Sequence, residues 1–253
     1  MSKVELFAKA DKYKADICSA RPLGYDELKD LDNYFRVGLT YSSNALEGNS
    51  LTIAETKILL EDGITVGGKP IKDYFEATGH AKAYDYMLEV ARTIDNKLTE
   101  DIINKLHMLF FIGIDSEYAG KYRDIQVYIS GTEYMPPAPE NIQKLMIDFV
   151  NNMNALKAKI HPIEFAAIFH KEFVDIHPFK DGNGRTARLL MNLILVQSGY
   201  GIVSIPPILR NEYIQALIIA QRETNNSLEP FIEFIAQCVI ETQRDYCRML
   251  RIK

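Results

Sequence analysis

Apolar residues recur along most of this chain at the three- and four-residue spacing that places them on one face of a helix. From residue 26 to residue 47, Leu28, Leu31, Tyr34 and Phe35 keep that spacing, and Gly48 follows as a stop. Thr52 then opens a second helix. Its hydroxyl can accept from the free amide of Glu55 while the Glu55 carboxylate reaches back, a capping box ahead of Ile58, Leu59 and Leu60, and Gly63 ends the run. The same periodicity predicts helices over residues 71–91, 99–110, 139–155, 162–174 and 230–249. One segment breaks the rhythm: Ile125, Val127 and Ile129 alternate with Gln126 and Tyr128, and Ser130-Gly131-Thr132 offers a turn before Tyr134 and Met135. That pattern predicts a small hairpin, which is marginal in water unless it leans on helices or on something it grips. The class is mainly α, with one small β element.

Composition narrows the picture without naming a chemistry. The chain has 253 residues, room for one sizeable domain, and its 47% hydrophobic and 25% charged content is that of an ordinary globular protein. No repeat or Ser/Gly-rich linker interrupts it. No apolar run approaches the ~18 residues of a membrane span, and charges scattered through the first residues leave no apolar stretch of the secretory kind. A soluble, cytoplasmic protein that binds no membrane is therefore expected. The net charge of −5 argues against a broad grip on nucleic acid but leaves room for a local basic pocket holding a few phosphates. Cys18, Cys238 and Cys247 have no paired metal-ligand spacing and read as free or buried thiols.

The most informative stretch runs from His177 to Arg188, His-Pro-Phe-Lys-Asp-Gly-Asn-Gly-Arg-Thr-Ala-Arg. Pro178 argues against the preceding helix continuing, so the chain must turn. Downstream, Ala187, Leu189, Leu190, Met191, Leu193, Ile194, Leu195 and Val196 leave almost no polar face, the mark of a helix buried in the middle of a domain. A Gly-rich loop thus opens onto a core helix, whose first amides have no intrahelical partners and carry partial positive charge. Gly182 and Gly184 allow close approach of a ligand, and Arg185 and Arg188 add two planar cations suited to phosphate oxygens. Asp181 would repel phosphate unless a cation intervened, and a carboxylate with phosphate oxygens is a usual Mg²⁺ arrangement. ATP with Mg²⁺ fits these features. His177 stands where an imidazole could take a proton from an incoming hydroxyl, although by periodicity alone a lone loop histidine is more often a structural residue.

These residues carry a resemblance. The loop is similar to the signature of the Fic family, and Gly120-Lys121-Tyr122-Arg123, Pro136-Pro137 and Ile205-Pro206 extend the likeness over roughly residues 70–240. The resemblance implies a mainly α, Fic-domain helical bundle with a small β-hairpin flap, and a protein adenylyltransferase that moves AMP from Mg-ATP to a Ser, Thr or Tyr hydroxyl of a target protein, itself included. By that resemblance His177 is the catalytic base and Asp181 the Mg²⁺ ligand. Gly182, Asn183 and Gly184 surround the α-phosphate, and Arg185 and Arg188 bind phosphate. Val127, Tyr128, Ile129, Ser130 and Gly131 would form the target-binding flap, and Tyr213 would stack on adenine, while Gln221 departs from the asparagine common in relatives.

Far upstream, Ser43-Asn44-Ala45-Leu46-Glu47-Gly48 resembles the family's inhibitory helix. The implied organisation is an N-terminal helical segment, residues 1–65, carrying Ser43 and Glu47, packed as one unit with a catalytic core and C-terminal helices over residues 66–253. Glu47 would pair with Arg188. Competing readings are a nucleotide-binding sensor and a relative that transfers another phosphate-containing group. A zinc hydrolase built on His161, His170 and His177 is poorer, because no two histidines share the i, i+4 spacing of a helical zinc motif. A homo-oligomer stays open, and the target is not named by the sequence.

Overall fold

The computed structural model describes the chain apart from residues 21–23, 94–96, 130, 223, 225 and 253. In chain order the described residues form α1 (Lys3–Ser19), α2 (Tyr25–Ala45), α3 (Ile53–Asp62), α4 (Ile71–Ala91), α5 (Glu100–Phe111), α6 (Ile142–Leu156), α7 (Pro162–Ile176), α8 (Asn183–Gln197), α9 (Arg210–Gln221) and α10 (Glu229–Met249). Single 3₁₀ turns, Pro139–Asn141 and Pro207–Leu209, lead into α6 and α9. The architecture is a mainly helical bundle.

The stretch with the least polar character becomes the axis of the molecule. In α8, Ala187, Leu189, Leu190, Met191 and Leu195 are fully buried, and α7, α4 and α5 enclose them. Each of these leucines and Met191 contributes on the order of 1.5–3 kcal/mol by leaving water. Burial of the α8 side chains fixes the loop at the helix's head, because the start of α8 cannot shift without opening this core. α4 and α5 cross closely at Gly79, where a Cβ would stand 2.3 Å from the Phe110 carbonyl oxygen. α2 lies along α4, and α1 runs beside α10.

The capping box on α3 forms as its sequence dictates: Thr52 Oγ1 accepts from the Glu55 amide at 3.2 Å, and Glu55 accepts from the Thr52 amide at 2.7 Å. The turn from α2 into it uses the left-handed freedom of Gly48, φ 92°. Two helices lie outside the predicted set. α1 has its own capping box, Ser2 with Glu5, and buries Leu6, Phe7, Ala10 and Ile17. Phe7 stacks on His161 with ring centres 4.1 Å apart, and Lys3 pairs with Glu164 at 2.9 Å. The frequent charges around that stripe hide its period. α9 is short, and buries Tyr213, Ala216, Leu217 and Ala220.

The expected hairpin is where the structure departs from the sequence pattern. Among the described residues, 121–138 form no paired strand, and Ser130 of the predicted turn lies outside the described residues. The polar groups of this segment are met by side chains instead. The Arg123 guanidinium donates to the carbonyls of His177 at 2.8 Å, Ile125 at 2.9 Å and Pro137 at 2.5 Å, while Gln126 donates to the Pro136 carbonyl at 3.0 Å. Pro136 and Pro137 have no N–H to give a ladder. The alternating apolar residues lie in a segment without paired strands among the described residues, which Arg123 ties to the loop after α7.

Candidate active site

His177 ends α7 in a left-handed conformation, φ 49° and ψ 57°, which a non-glycine residue adopts at a cost of order 1–3 kcal/mol. Two contacts sustain it: its amide donates to the Phe173 carbonyl at 3.1 Å, and its own carbonyl accepts from Arg123. Its Nδ1 lies 3.1 Å from the Val174 carbonyl. A carbonyl can only accept, so Nδ1 carries the proton and Nε2 is the basic atom. Burial lowers the imidazole's pKa, opposed by the bond to Val174 and reinforced by Arg123, so the ring is neutral at neutral pH.

The loop that follows is held from both sides. Phe179 is fully buried and stacks on His107, ring centres 3.7 Å apart. His107 takes the Gly120 amide on Nδ1 at 2.9 Å, so Nε2 carries its hydrogen and donates to the Asp181 carbonyl at 3.0 Å. Burial pushes this imidazole down to about 4, which keeps it a neutral strut. Asn183 closes the loop reciprocally: its Oδ1 accepts from the Phe179 amide at 2.9 Å and its Nδ2 donates to the Phe179 carbonyl at 2.8 Å. The Asn183 side chain is therefore spent on the loop. Its backbone amide remains part of the anion-facing turn.

At the head of α8 the first intrahelical bond runs from the Thr186 amide to the Gly182 carbonyl, so the amides of Asn183, Gly184 and Arg185 precede it. Gly182 sits at φ 79°, and a Cβ there would meet the Phe110 ring at 2.6 Å. At Gly184 a Cβ would meet Glu47 Oε1 at 2.5 Å. The bare backbone of Gly184 is thus what lets the Glu47 carboxylate rest over the amide-rich turn, where an anion is favoured.

Arg188 is 2% exposed and saturated by neighbours. It donates to Glu47 Oε1 at 2.6 Å, to Ser43 Oγ at 3.0 Å, to the Ser43 carbonyl at 2.8 Å and to Tyr213 at 3.4 Å. Ser43 and Glu47 lie one turn apart at the end of α2, where Arg210 also donates to the Leu46 carbonyl at 2.8 Å. Burial works to raise the Glu47 pKa, but the charge and hydrogen bond of Arg188 outweigh it and hold the carboxyl below its usual range. Arg185 takes a different partner, Glu76 of α4, at 2.7 Å, and stacks over Phe110. Asp181 is more exposed; its Oδ1 accepts from the Gly182 amide at 2.6 Å and stands 3.6 Å from Arg185.

The structure thus brings His177, Asp181, Gly182, Asn183, Gly184, Arg185 and Arg188 together with Ser43 and Glu47 from a distant part of the chain. Tyr213 joins them in another way than as an adenine platform. At 3% exposure its ring is packed against Phe231 and Phe234, and its hydroxyl lies between Arg188 and His170 Nε2, 3.0 Å away. Gln221 donates to Asp175 at 2.7 Å. Of the expected flap residues, Tyr128 is 76% exposed, Val127 and Ile129 are half-buried, and Gly131 is left-handed at φ 85°. Sequence reasoning missed His107 and Glu76. The signal for Glu76 was a carboxylate in the buried stripe of α4, between Asp73 on one side and Ala77 and His80 on the other.

A histidine base beside an arginine-flanked, glycine-opened helix start, on this helical bundle, defines a Fic-type domain. Residues 97–195 match the model of the Fic/DOC family, and the domain they form is of that family. The chain is 38% identical over 208 residues to a protein adenylyltransferase Fic of Nematostella vectensis, an alignment covering 80% of this chain and 46% of that protein. With the Drosophila melanogaster protein of the same name it shares 37% over 204 residues, 80% of this chain and 40% of the relative. The chain therefore spans less than half the length of these curated relatives. Among solved structures, a Fic domain containing signaling protein from Bacteroides thetaiotaomicron superposes with a TM-score of 0.88 at 29% identity, over 96% of this chain and 98% of that one. Fic-1 from C. elegans superposes at 0.87 and 29%, over 98% and 73%.

Proposed function

We propose that the chain is a protein adenylyltransferase, moving AMP from ATP to a serine, threonine or tyrosine hydroxyl of a target protein, and that Glu47 holds it in a self-inhibited state. The names of the curated relatives support the reaction class. The observation that carries the reading here is the neutral His177 imidazole, its Nδ1 committed to Val174 and its Nε2 left basic, beside the head of α8. In the forward step Nε2 accepts the hydroxyl proton and the oxygen attacks the α-phosphorus. A new P–O bond forms as the bond to the β-phosphate's bridging oxygen breaks, and pyrophosphate leaves. The amides of residues 183–185 and Arg185 and Arg188 offset charge on the phosphates.

The residues present also suit Mg²⁺. Asp181 is an exposed carboxylate beside those amides, and among the described residues no cluster of three acidic, His or Cys side chains forms a closed protein cage. A single carboxylate with phosphate oxygens and water is the arrangement Mg²⁺ favours, and when bound it neutralises charge on the phosphates. The segment 127–131, whose neighbour Arg123 bonds the His177 carbonyl, serves as the edge against which a target chain is laid, with Ile125, Tyr128 and Met135 exposed as apolar contacts. Residues 1–65 act as the regulatory segment of the unit completed by 66–253. Glu47, resting over Gly184 and pairing Arg188, occupies the place and the partner that phosphate needs.

The Glu47→Gly variant incubated with Mg²⁺ and ATP labelled at either the α- or the γ-phosphate tests the reaction. Label should enter protein, the chain itself included, from the α-position alone. Entry from the γ-position would make it a phosphotransferase, and ATP binding without label would make it a sensor.

A further inference from the structure

The other arginine of the loop is held mainly by one residue that has no place in the loop. Glu76 is 5% exposed, and its two oxygens face different ways. Oε1 accepts from Arg185 Nη1 at 2.7 Å, with Lys72 more distant at 3.6 Å. Oε2 accepts from Asn49 Nδ2 at 2.9 Å. Asn49 belongs to the turn directly behind Glu47: its amide donates to the Asn44 carbonyl at 3.1 Å and its Oδ1 accepts from the Leu51 amide at 3.0 Å. The Glu76 carbonyl reaches the same turn, accepting from Asn44 at 3.4 Å.

We propose that Glu76 is a positioning residue that orients Arg185 toward the nucleotide phosphates and, through Asn49, couples that arginine to the turn carrying Glu47. This rests on the reading of the loop as a phosphate site. A buried guanidinium with one carboxylate partner has a fixed edge, since its planar fork cannot turn without losing a charge-assisted bond. Arg185 Nε lacks a partner, so among the described contacts Glu76 and the more distant Asp181 set its orientation. The same carboxylate pins Asn49, so a displacement of the Glu47 turn pulls on the oxygen pair that aims Arg185. The two arginines are then linked through Glu47, Asn49 and Glu76 and do not sense nucleotide independently.

Two substitutions separate the two bonds. Glu76→Gln keeps an acceptor for Asn49 and loses the charge toward Arg185; Asn49→Ala loses the turn contact and leaves the Arg185 pair. Nucleotide affinity is read by calorimetric titration in the Glu47→Gly protein, with ATP and with adenosine, and thermal melting checks each variant's fold. Glu76→Gln should weaken ATP by about tenfold and leave adenosine unchanged, a loss of the size of one charge-assisted hydrogen bond. Asn49→Ala in the protein that retains Glu47 should raise α-label incorporation several-fold, and add nothing once Glu47 is glycine. Should Glu76→Gln melt below the assay temperature, Glu76→Asp, which keeps charge but is too short for the 2.7 Å contact, should show the same selective loss of ATP. Equal losses for ATP and adenosine, or none, would overturn the positioning role. An Asn49→Ala protein as inactive as the parent would overturn the coupling. If Glu47→Gly itself fails to bind ATP, the fault lies with the functional reading instead.

Discussion

In the proposed reaction His177 is a base prepared by its surroundings. The Val174 carbonyl selects the tautomer, and burial keeps the ring neutral, so the atom needed for proton removal is available at neutral pH. His177→Ala should cut transfer by ~10²- to 10⁴-fold while leaving ATP affinity nearly unchanged, measured in the Glu47→Gly background. Its lowered pKa gives the pH profile a definite sign: transfer should be flat through neutral pH and fall on acidification only below the ordinary histidine value of about 6.5. A profile breaking above that value would place the titrating base elsewhere. For Asp181→Ala the expected result is loss of most activity together with its Mg²⁺ dependence, and an unchanged Mg²⁺ titration would remove Asp181 from the role. At this scale the loop from His177 to Arg188 was legible, because its residue types carry their chemistry locally. Glu76 and His107 were not, because a buried carboxylate or imidazole shows its partner only after helices distant in sequence are packed. Tyr213 was read as an adenine platform from its region alone; its hydroxyl meets Arg188 and His170, and Phe231 and Phe234 pack against its ring.

Among the elements, α8 is the one that positions the rest, and its burial was readable from an unbroken apolar run. α2 and α3 were equally plain from periodicity, the capping box and the glycines at 48 and 63. The hairpin expected over residues 125–135 is not shown as paired strands among the described residues: alternation reports which positions are apolar, whereas a hairpin also needs free N–H groups on a partner strand, which Pro136 and Pro137 lack, and the Arg123 guanidinium takes the Ile125 and Pro137 carbonyls. The crossing of α4 and α5 is set by Gly79, against the Phe110 carbonyl. Since backbone, not a flexible side chain, blocks a Cβ there, Gly79→Ala should destabilise the protein by about 1–3 kcal/mol despite alanine's better helix propensity. Chemical denaturation of the two proteins checks it; an alanine variant as stable as the parent would mean the helices can separate freely at this crossing. Because α5 carries His107, the same variant should also loosen the catalytic loop.

For the molecule as a whole, the buried neutral histidines tie stability to pH. Burial holds His80, His107 and His170 at about 3, 4 and 3, whereas each binds a proton near 6.5 once unfolded. The unfolded state therefore binds more protons between those values. Stability from this source is complete above pH 6.5 and declines as pH falls toward 4, by on the order of 1 kcal/mol per pH unit for each histidine. The Glu47–Arg188 pair adds to the decline only lower, as Glu47 protonates below its usual range. Melting temperature should thus begin to drop near pH 6.5, above the range where carboxylates titrate, and a curve flat down to pH 5 would contradict the neutral state of these rings. The same whole-molecule packing brings Glu47, near residue 50, onto Arg188 at 2.6 Å, a pairing that the family resemblance implied and that spacing alone did not show. Release of that contact is the central claim, and comparison of α-labelled ATP incorporation by the parent, Glu47→Gly and Glu47→Gly/Arg188→Ala proteins tests it most directly. Glu47→Gly should label at least roughly tenfold faster than the parent, the size of one charge-assisted bond, and the double variant should lose that gain; equal labelling by parent and Glu47→Gly would contradict self-inhibition.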